Sequence, residues 1–364
     1  MKRFAIAALL VVSILVGKVH ALDPNRPGVF VRVVDVGAGL GCVVKVNNAD
    51  GTSSYMLFDT GNSRNKTGYR MSGRYGTVAF AEIKKLIPET SPIDWVVISH
   101  TDLDHLGATA QVCDRYTVKN FLRTGWEREN PDNRLYAYRQ MLLAIPEEVA
   151  DEGAVDHNQS DPNGRMELGH EFDLGDAKLT LLSGFAEPPA DWGSLSRSKA
   201  RNSISIVLRL DYKGKSILFT GDALGAKDGA ADGEVAIATE KFLLANNNGN
   251  RTIDSDVLMP AHHGANNGCS RAFLAATSPR FVIFSAGASH GHPRKKTAER
   301  IKRTPSVRYM FRRDHGDRRR SGEWRWESTA QGGDGPGDDH VDIAIAPRVG
   351  CWFITRIDCS AAMR

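Results

Sequence analysis

Ile98-Ser99-His100-Thr101-Asp102-Leu103-Asp104-His105-Leu106-Gly107 is the stretch on which the reading of this chain turns. Two histidines and two aspartates fall within six residues in the spacing H-x-D-x-D-H. The apolar run Trp95-Val96-Val97-Ile98 leads directly into it. A buried strand that ends in such a loop sets two imidazoles and two carboxylates around one small volume. Borderline and hard divalent cations accept that mixture of nitrogen and oxygen donors. A polar turn between a strand and a helix uses the same residue types, so the hexapeptide decides nothing alone.

Composition is that of a globular protein. The 364 residues are 41% hydrophobic and 25% charged, enough for one large or two ordinary domains with a true core. Lys2 and Arg3, the apolar run Phe4 to Val16 and Val19-His20-Ala21 have the pattern of a secretory signal peptide (1–21) cut after Ala21. The run has 13 residues, short for a bilayer span, and no later stretch reads as a membrane helix. No cysteine follows the cut until Cys42. The expectation is a secreted or periplasmic protein without a lipid anchor. Removing Lys2, Arg3 and Lys18 leaves 44 basic against 43 acidic residues. That balance gives no ground for polyanion binding by the chain as a whole. Export favours disulfides. Of the five cysteines Cys42, Cys113, Cys269, Cys351 and Cys359, the last two are close enough to close a short C-terminal loop. The odd total leaves at least one thiol free or paired elsewhere.

Along the chain, Val29 to Val36 alternates and is β-branched, which reads as a strand, and Gly37, Gly39 and Gly41 mark a tight turn after it. Val43 to Val46 and Tyr55 to Phe58 read as strands, the second ending in Asp59-Thr60-Gly61. Thr77 to Ile87 has helical spacing and stops at Pro88. A helix should start at about Leu106. Residues 126–165 are polar and read as an insertion, a lid or an excursion. Leu179 to Leu182, Ser203 to Leu210 and Ser216 to Thr220 read as strands, the last ending in Gly221-Asp222. Glu234 to Ala245 reads as helix. Val257-Leu258-Met259 runs into Pro260-Ala261-His262-His263-Gly264, and Phe281 to Ser285 runs towards Ser289-His290-Gly291-His292-Pro293. A helix is expected over Lys295 to Lys302 and a last strand over Val341 to Ala346. The segment 308–340 reads as basic, then Gly/Asp-rich and mobile. Residues 22–350 form one domain on this reading, followed by a tail, 351–364.

Five strands therefore end in acidic or histidine-rich loops, at Asp59, His100–His105, Asp222, His262–His263 and His290–His292. Solvated turns explain one such loop, not five in order. The set resembles the metallo-β-lactamase superfamily. Within it the likeness is to the ComEC-like branch, the extracytoplasmic nuclease-like domain of the DNA-uptake channel of natural competence. Val34-Asp35-Val36-Gly37, Phe58-Asp59-Thr60-Gly61, the H-x-D-x-D-H motif, Phe219-Thr220-Gly221-Asp222, His262-His263-Gly264 and Gly291-His292-Pro293 carry the likeness across roughly residues 28–310. Aspartate at position 102, where the commoner motif has histidine, points to that branch.

The resemblance implies an α/β (α+β) fold, a four-layer αββα sandwich with two mixed β-sheets between helices. It implies up to two divalent cations per chain, zinc first and manganese second. His100 and Asp102 would bind one, Asp104 and His105 the other, and Asp222 would bridge both. One of His262 and His263, with His262 preferred, would complete the second site. Asp59 would orient ligands through hydrogen bonds. His292 would sit at the rim and contact the substrate or protonate the leaving group, so that Asp102, Asp104 and His292 carry the catalysis. The physics agrees, since two cations about 3.5–4 Å apart acidify a bridging water towards neutral pH and neutralise charge on a phosphoryl or carbonyl oxygen.

Two departures stand out. Many relatives place another histidine before the bridging aspartate, and here His157 and His170 lie at the wrong positions. Asn202 is a weak substitute, which predicts one tight and one labile metal. The loop Val36 to Gly41 has Ala38 and Leu40 where ComEC-like domains have Gln and Asp.

Residues 294–320 hold 12 Lys/Arg against Glu299, Asp314 and Asp317, starting two residues after His292. Such a rim, led by Arg294, Lys295 and Lys296, would draw a polyanion to the metals. Trp324 and Trp326 stand at strand spacing, as packed residues or base-stacking ones. The function implied is a secreted metal-dependent phosphodiesterase or nuclease. Alternatives are a hydrolase of small esters, lactones, β-lactams or choline-type phosphodiesters, and a non-catalytic polyanion-binding module. No specific protein partner is inferred.

Overall fold

Strands that carry apolar side chains on both faces need cover on both sides. The first strand, β1 (Gly28–Val33), is buried along its whole length. Val29, Val31 and Val33 face one apolar layer and Phe30 another. The same alternation runs through β2 (Gly41–Asn47), β3 (Ser53–Thr60) and β4 (Trp95–Ile98), and it dictates a sheet sandwiched between layers. The structure, a computed structural model, describes residues 23–61, 77–128, 136–227, 235–286, 291–312, 339–347 and 352–358.

The first sheet adds β5 (Asn120–Arg123), β6 (Val155–Asn158), β14 (Asp339–Ile345) and β15 (Trp352–Asp358), in the order β15-β14-β1-β2-β3-β4-β5-β6. β3 to β6 run parallel, and the rest pair antiparallel. The second sheet is built from β7 (Glu171–Leu174), β8 (Ala177–Ser183), β9 (Val207–Tyr212), β10 (Lys215–Phe219), β11 (Val257–Met259), β12 (Phe281–Phe284) and β13 (Tyr309–Arg312), in the order β13-β12-β11-β10-β9-β8-β7. There β10 to β13 run parallel. Between the sheets pack Val31, Val44, Met56, Phe58 and Val97 from one side and Leu179, Leu181, Leu208, Leu210 and Phe219 from the other. The Phe58 and Phe219 rings stack with centroids 5.0 Å apart.

Helices cover the outer faces. Phe30, Leu57 and Val96 meet Ile83 of α1 (Thr77–Leu86), Val112 of α2 (Thr109–Cys113) and Met141 of α3 (Tyr136–Asp151). Val207, Leu218, Leu258 and Val282 meet Leu243 of α5 (Ala238–Ala245), Phe273 of α6 (Arg271–Thr277) and Ile301 of α7 (Lys295–Lys302). A short helix, α4 (Arg197–Ser203), precedes β9. This is the αββα sandwich of two mixed sheets that the sequence implied.

Several boundaries differ from the sequence reading. Residues 126–165 are not a lid over their whole length. Ala137, Tyr138, Met141, Ala144 and Ile145 are the buried stripe of α3, and β6 closes the sheet edge. Pro146 and a run of acidic residues from Glu147 to Glu152 hid that stripe. Ser203 ends α4 and does not start a strand. The helix after the metal motif starts at Thr109, after a turn. Residues 352–358, expected in a tail, pair with β14 over seven residues. The signal-peptide pattern, Cys351, Cys359, Trp324, Trp326 and nearly all of the Gly/Asp-rich stretch lie outside the described residues. Among the described residues Cys113 and Cys269 are free thiols, and Cys42 is buried with its Sγ 3.6 Å from Met259 Sδ.

One charged cluster fastens the C-terminal strands to the first sheet. Arg32 on β1 donates Nε and Nη2 to the two carboxylate oxygens of Asp342 on β14, each at 2.8 Å, and Nη1 to Glu82 of α1 at 2.8 Å. His340 reaches Glu82 at 3.3 Å and accepts from the Asp35 amide at 2.9 Å. All are buried. Removing one partner leaves buried charge uncompensated, so Arg32→Leu should cost about 3–5 kcal/mol of unfolding free energy in urea titrations. A loss below about 1 kcal/mol would show that the cluster is not a stabilising fastener.

Candidate metal centre

The residues singled out in the sequence converge where the parallel strands of both sheets end. Asp59 closes β3, His100 to His105 follow β4, Asp222 follows β10, and His262 and His263 follow β11. Backbone hydrogen bonds lock these ends together. Thr60 N donates to His105 O at 2.6 Å, Leu40 N to Asp104 O at 3.0 Å, Ile206 N to Ser99 O at 2.8 Å and His262 N to Gly221 O at 3.0 Å. The Val36–Gly41 loop therefore braces the Asp104 backbone, and Ser285 Oγ donates to Gly39 O at 2.6 Å. Gly221 has φ +51°, and a Cβ there would lie 2.8 Å from Ser99 Cβ. Only glycine lets the two sheets close at that point.

Asp222 lies between two sets of donors. Its Oδ1 is 3.2 Å from His105 Nε2 and 3.4 Å from His263 Nε2. Its Oδ2 is 3.7 Å from His100 Nε2 and 3.6 Å from His262 Nε2. Asp104 Oδ2 completes the Oδ1 side, 3.5 Å from His263 Nε2 and 4.0 Å from His105 Nε2. Asp102 Oδ2 completes the Oδ2 side, 3.4 Å from His100 Nε2. His105, His100 and Asp222, and separately Asp104, His105 and His263, have donor atoms within 4.8 Å of one another.

The sequence reading preferred His262 beside Asp104 and His105, and the structure puts His263 there instead. Both histidines have left-handed backbone, with φ 52° and 55°. That sharp turn sends two consecutive imidazoles to opposite sides of Asp222. Asn202, buried on α4, stands 3.3 Å from His262 Nε2.

Each imidazole is held through its other nitrogen. His105 Nδ1 meets Asp59 Oδ2 at 2.7 Å, His263 Nδ1 meets Ser285 O at 2.7 Å, His262 Nδ1 meets Asn267 Oδ1 at 2.9 Å, and His100 Nδ1 meets Ser99 Oγ at 3.1 Å. Asp59 also accepts from Ser99 N and Ser99 Oγ, both at 2.7 Å. All four rings thus present Nε2 to the centre.

These residues fit divalent cations. His105 Nε2 and His263 Nε2 lie 3.2 Å apart, close to the separation of two imidazole nitrogens on one tetrahedral metal. His100 Nε2 is buried without a hydrogen bond, a cost that a cation removes.

Charge within the centre is lopsided. Burial raises the Asp222 and Asp104 carboxyls, but the facing imidazoles outweigh it, holding Asp104 down to about 2 and Asp222 well below its ordinary value. Burial lowers His105, yet Asp222, Asp59 and Asp104 together lift it well above its ordinary value. Burial, then His263 and His262, push His292 down to about 3. Its ring lies 5.7 Å from that of His262 and 6.3 Å from that of His263. It borders the centre as a neutral imidazole, within reach of a substrate oxygen.

Sequence reasoning missed Arg128 and Arg201. Arg128 Nη1 donates to Asp102 Oδ1 at 2.6 Å and to Thr101 O at 2.8 Å, and Arg201 Nε donates to the same Asp102 oxygen at 2.9 Å. Burial raises the Asp102 carboxyl, but His100, Arg201 and Arg128 hold it well below the usual carboxylate range. Nothing in the spacing marked Arg128, and Arg201 was legible only as the neighbour of Asn202. In contrast, part of the expected basic rim is structural. Arg300 is buried and donates to Gly268 O and Cys269 O, each at 2.9 Å, and Arg312 is buried as well. Lys295 and Lys296 are exposed at the start of α7, with Arg294 half-buried beside them. Arg313, Arg318, Arg319 and Arg320 lie outside the described residues.

The sequence model of the Metallo-beta-lactamase superfamily matches residues 46–287, a span that contains every loop from Asp59 to His263. The chain belongs to the metallo-β-lactamase superfamily. Its general character is that of a metal-dependent hydrolase, and the fold implies divalent-metal binding. The chain is 27% identical over 302 residues to "Competence protein ComA" of Neisseria gonorrhoeae, which agrees with the branch read from the sequence. That match covers 81% of this chain and 32% of the relative, so the chain spans about a third of its length. Among solved structures, the metallo-β-lactamase fold protein YhfI from Bacillus subtilis is similar with a TM-score of 0.39 at 10% identity, covering 78% of this chain and 96% of that one. Igni18, a metallo hydrolase from Ignicoccus hospitalis, gives a TM-score of 0.38 at 13% identity, covering 78% and 95%. Among the described residues, no helix is long and apolar enough to cross a membrane.

Two outcomes follow from this geometry. Asp59→Ala removes the acceptor that holds His105, and zinc affinity measured by chelator competition should fall about 10–100-fold. Unchanged affinity would mean that Asp59 does not orient the ring. A cation must also displace the proton that the carboxylates retain on His105. Because that pKa is raised, the proton is present at neutral pH, and affinity should rise as pH rises, by about ten-fold per unit for each proton released. Calorimetry in buffers of different ionisation enthalpy checks it, and metal uptake without proton release would contradict it.

Proposed function

We propose that the protein is an exported, two-metal phosphodiesterase whose substrate is nucleic acid. The observation that carries the reading is the sharing of Asp222 between two donor sets, one on each of its oxygens. Asp104, His105, His263 and Asp222 would hold one cation. His100, Asp102, Asp222 and His262 would hold the other, with His262 standing where the additional histidine of many relatives is missing and Asn202 beside it. Four imidazoles favour zinc over magnesium or calcium, and the carboxylates keep manganese acceptable. When bound, the pair would supply a water acidified towards neutral pH and positive charge against a phosphoryl oxygen.

The chain's own residues do the rest. Asp59, Ser285 and Asn267 fix the ring orientations. His292 borders the centre as a neutral ring. Lys295 and Lys296, with Arg294, lie two to four residues beyond it and would draw a polyanion in. Likeness to a competence protein and the signal-peptide pattern of residues 1–21 support a role outside the cytoplasm on nucleic acid.

Zinc- or manganese-loaded protein should cleave single- or double-stranded DNA, RNA or a chromogenic phosphodiester. It should leave lactams and lactones untouched. Asp104→Ala and Asp222→Ala should each lower kcat/KM at least about a thousand-fold, the scale of removing a preorganised charged group. Lactam or lactone turnover without phosphodiester turnover would assign the centre to small neutral substrates. No turnover of either class in metal-replete protein would leave a binding module.

A further inference from the structure

The charges that reach the metal residues come from outside the basic run of the sequence. Arg128 follows the end of β5, and Arg201 sits in the last turn of α4. They approach Asp102 from the two halves of the sandwich and meet on one oxygen, Oδ1, leaving Oδ2 towards His100. One carboxylate cannot neutralise two guanidiniums. Among the described residues, Arg201 uses only Nε in hydrogen bonds to the protein, and Arg128 only Nη1. Their side chains are 18% and 13% exposed for Arg128 and Arg201, so both stay partly open beside Asp102.

The charge balance points the same way. Asp59, Asp102, Asp104 and Asp222 carry four negative charges, which two divalent cations would offset. The two guanidiniums would then leave the centre positive. An anionic substrate such as a singly charged phosphodiester would lower that excess, and a neutral ester or lactam would not. A guanidinium's fork of donors also matches the non-bridging oxygens of a phosphate.

We propose that Arg128 and Arg201 form a two-guanidinium clamp on the metal-proximal phosphate of the substrate, selecting an anionic phosphodiester over neutral esters and lactams. This rests on the phosphodiesterase reading for the bond cleaved, but the clamp itself is a statement about binding. Asp102 serves it as a hinge post, holding both arginines while facing the cation with its other oxygen.

The test uses zinc-loaded full chain and two small probes, diethyl phosphate, a monoanion, and triethyl phosphate, its neutral counterpart. Saturation-transfer NMR reads binding, and 31P spectra of the same samples read cleavage. Wild type should bind the monoanion more than about ten-fold tighter than the neutral ester. Arg128→Gln and Arg201→Gln should each reduce that preference about ten-fold, the scale of one charge-assisted hydrogen bond. Zinc content, measured on every sample, should stay unchanged. Arg201→Lys should recover only part of the preference, since it restores charge without the fork. Equal binding of the two probes by wild type, or an undiminished preference in both Gln variants, would overturn the clamp. Loss of zinc in step with loss of the monoanion would overturn it too, reducing the arginines to positioning partners of Asp102. If a Gln variant fails to fold, Arg201→Lys carries the test, and a full wild-type preference there would count against the fork. Selective binding without any cleavage of phosphodiesters, DNA or RNA would sustain the clamp while sinking the phosphodiesterase reading.

Discussion

One carboxylate shared between two sheets is the constraint on which the rest depends. Asp222 leaves the second sheet at the end of β10, whereas His100, Asp104 and His105 leave the first at the end of β4. A buried anion of this kind costs several kcal/mol unless cationic or hydrogen-bonding groups surround it. Those groups arrive only if the strand ends meet closely, which explains the glycine at 221 and the hydrogen bond from Ile206 to Ser99. Sandwich and donor set are therefore one problem. The apolar layer around Phe58 and Phe219 brings the ends together, and the charged centre sets how far apart they stand.

A second layer of partners decides what the imidazoles can do. Four different acceptors and hydroxyls, Asp59, Ser99, Asn267 and the Ser285 carbonyl, occupy four Nδ1 atoms. None of these partners is related to another in sequence, yet all produce the same result, Nε2 facing inward. Such uniformity is costly to maintain for core histidines, which need only one satisfied ring each. It is what a metal requires, because a ligand nitrogen must be free of hydrogen and fixed in direction.

The fold was legible where periodicity and punctuation agreed. β1, β4, β10, β11 and α7 stand almost where the apolar runs place them, because each is bounded by glycine, proline or a polar motif. Legibility failed where burial is one-sided and charge is dense. α3 shows Arg139, Glu147 and Asp151 among its apolar residues, and its buried stripe emerges only against the sheet. The site followed the same rule. Ligand types at strand ends were readable as a set, since spacing within H-x-D-x-D-H fixes them locally. Which of His262 and His263 turns to which side was not readable, because two left-handed residues in succession are a tertiary outcome. The arginines were invisible for a related reason. Arg128 lies 26 residues from Asp102 and Arg201 99 residues from it, and guanidiniums are common enough that no local pattern distinguishes these two.

Asp102 shows why a single letter in the motif matters beyond ligand count. A histidine at that position could offer one nitrogen to a cation and only a donor N–H on its far side. An aspartate offers two acceptor oxygens, one on each side. In this chain Oδ2 faces His100 and Oδ1 takes both arginines. The carboxylate thereby ties a metal position to two fixed positive charges, which no imidazole can do because its far edge would repel them. On the proposed reading, an aspartate here exchanges some hold on a cation for a field that favours anions, which suits cleavage next to a charged phosphate.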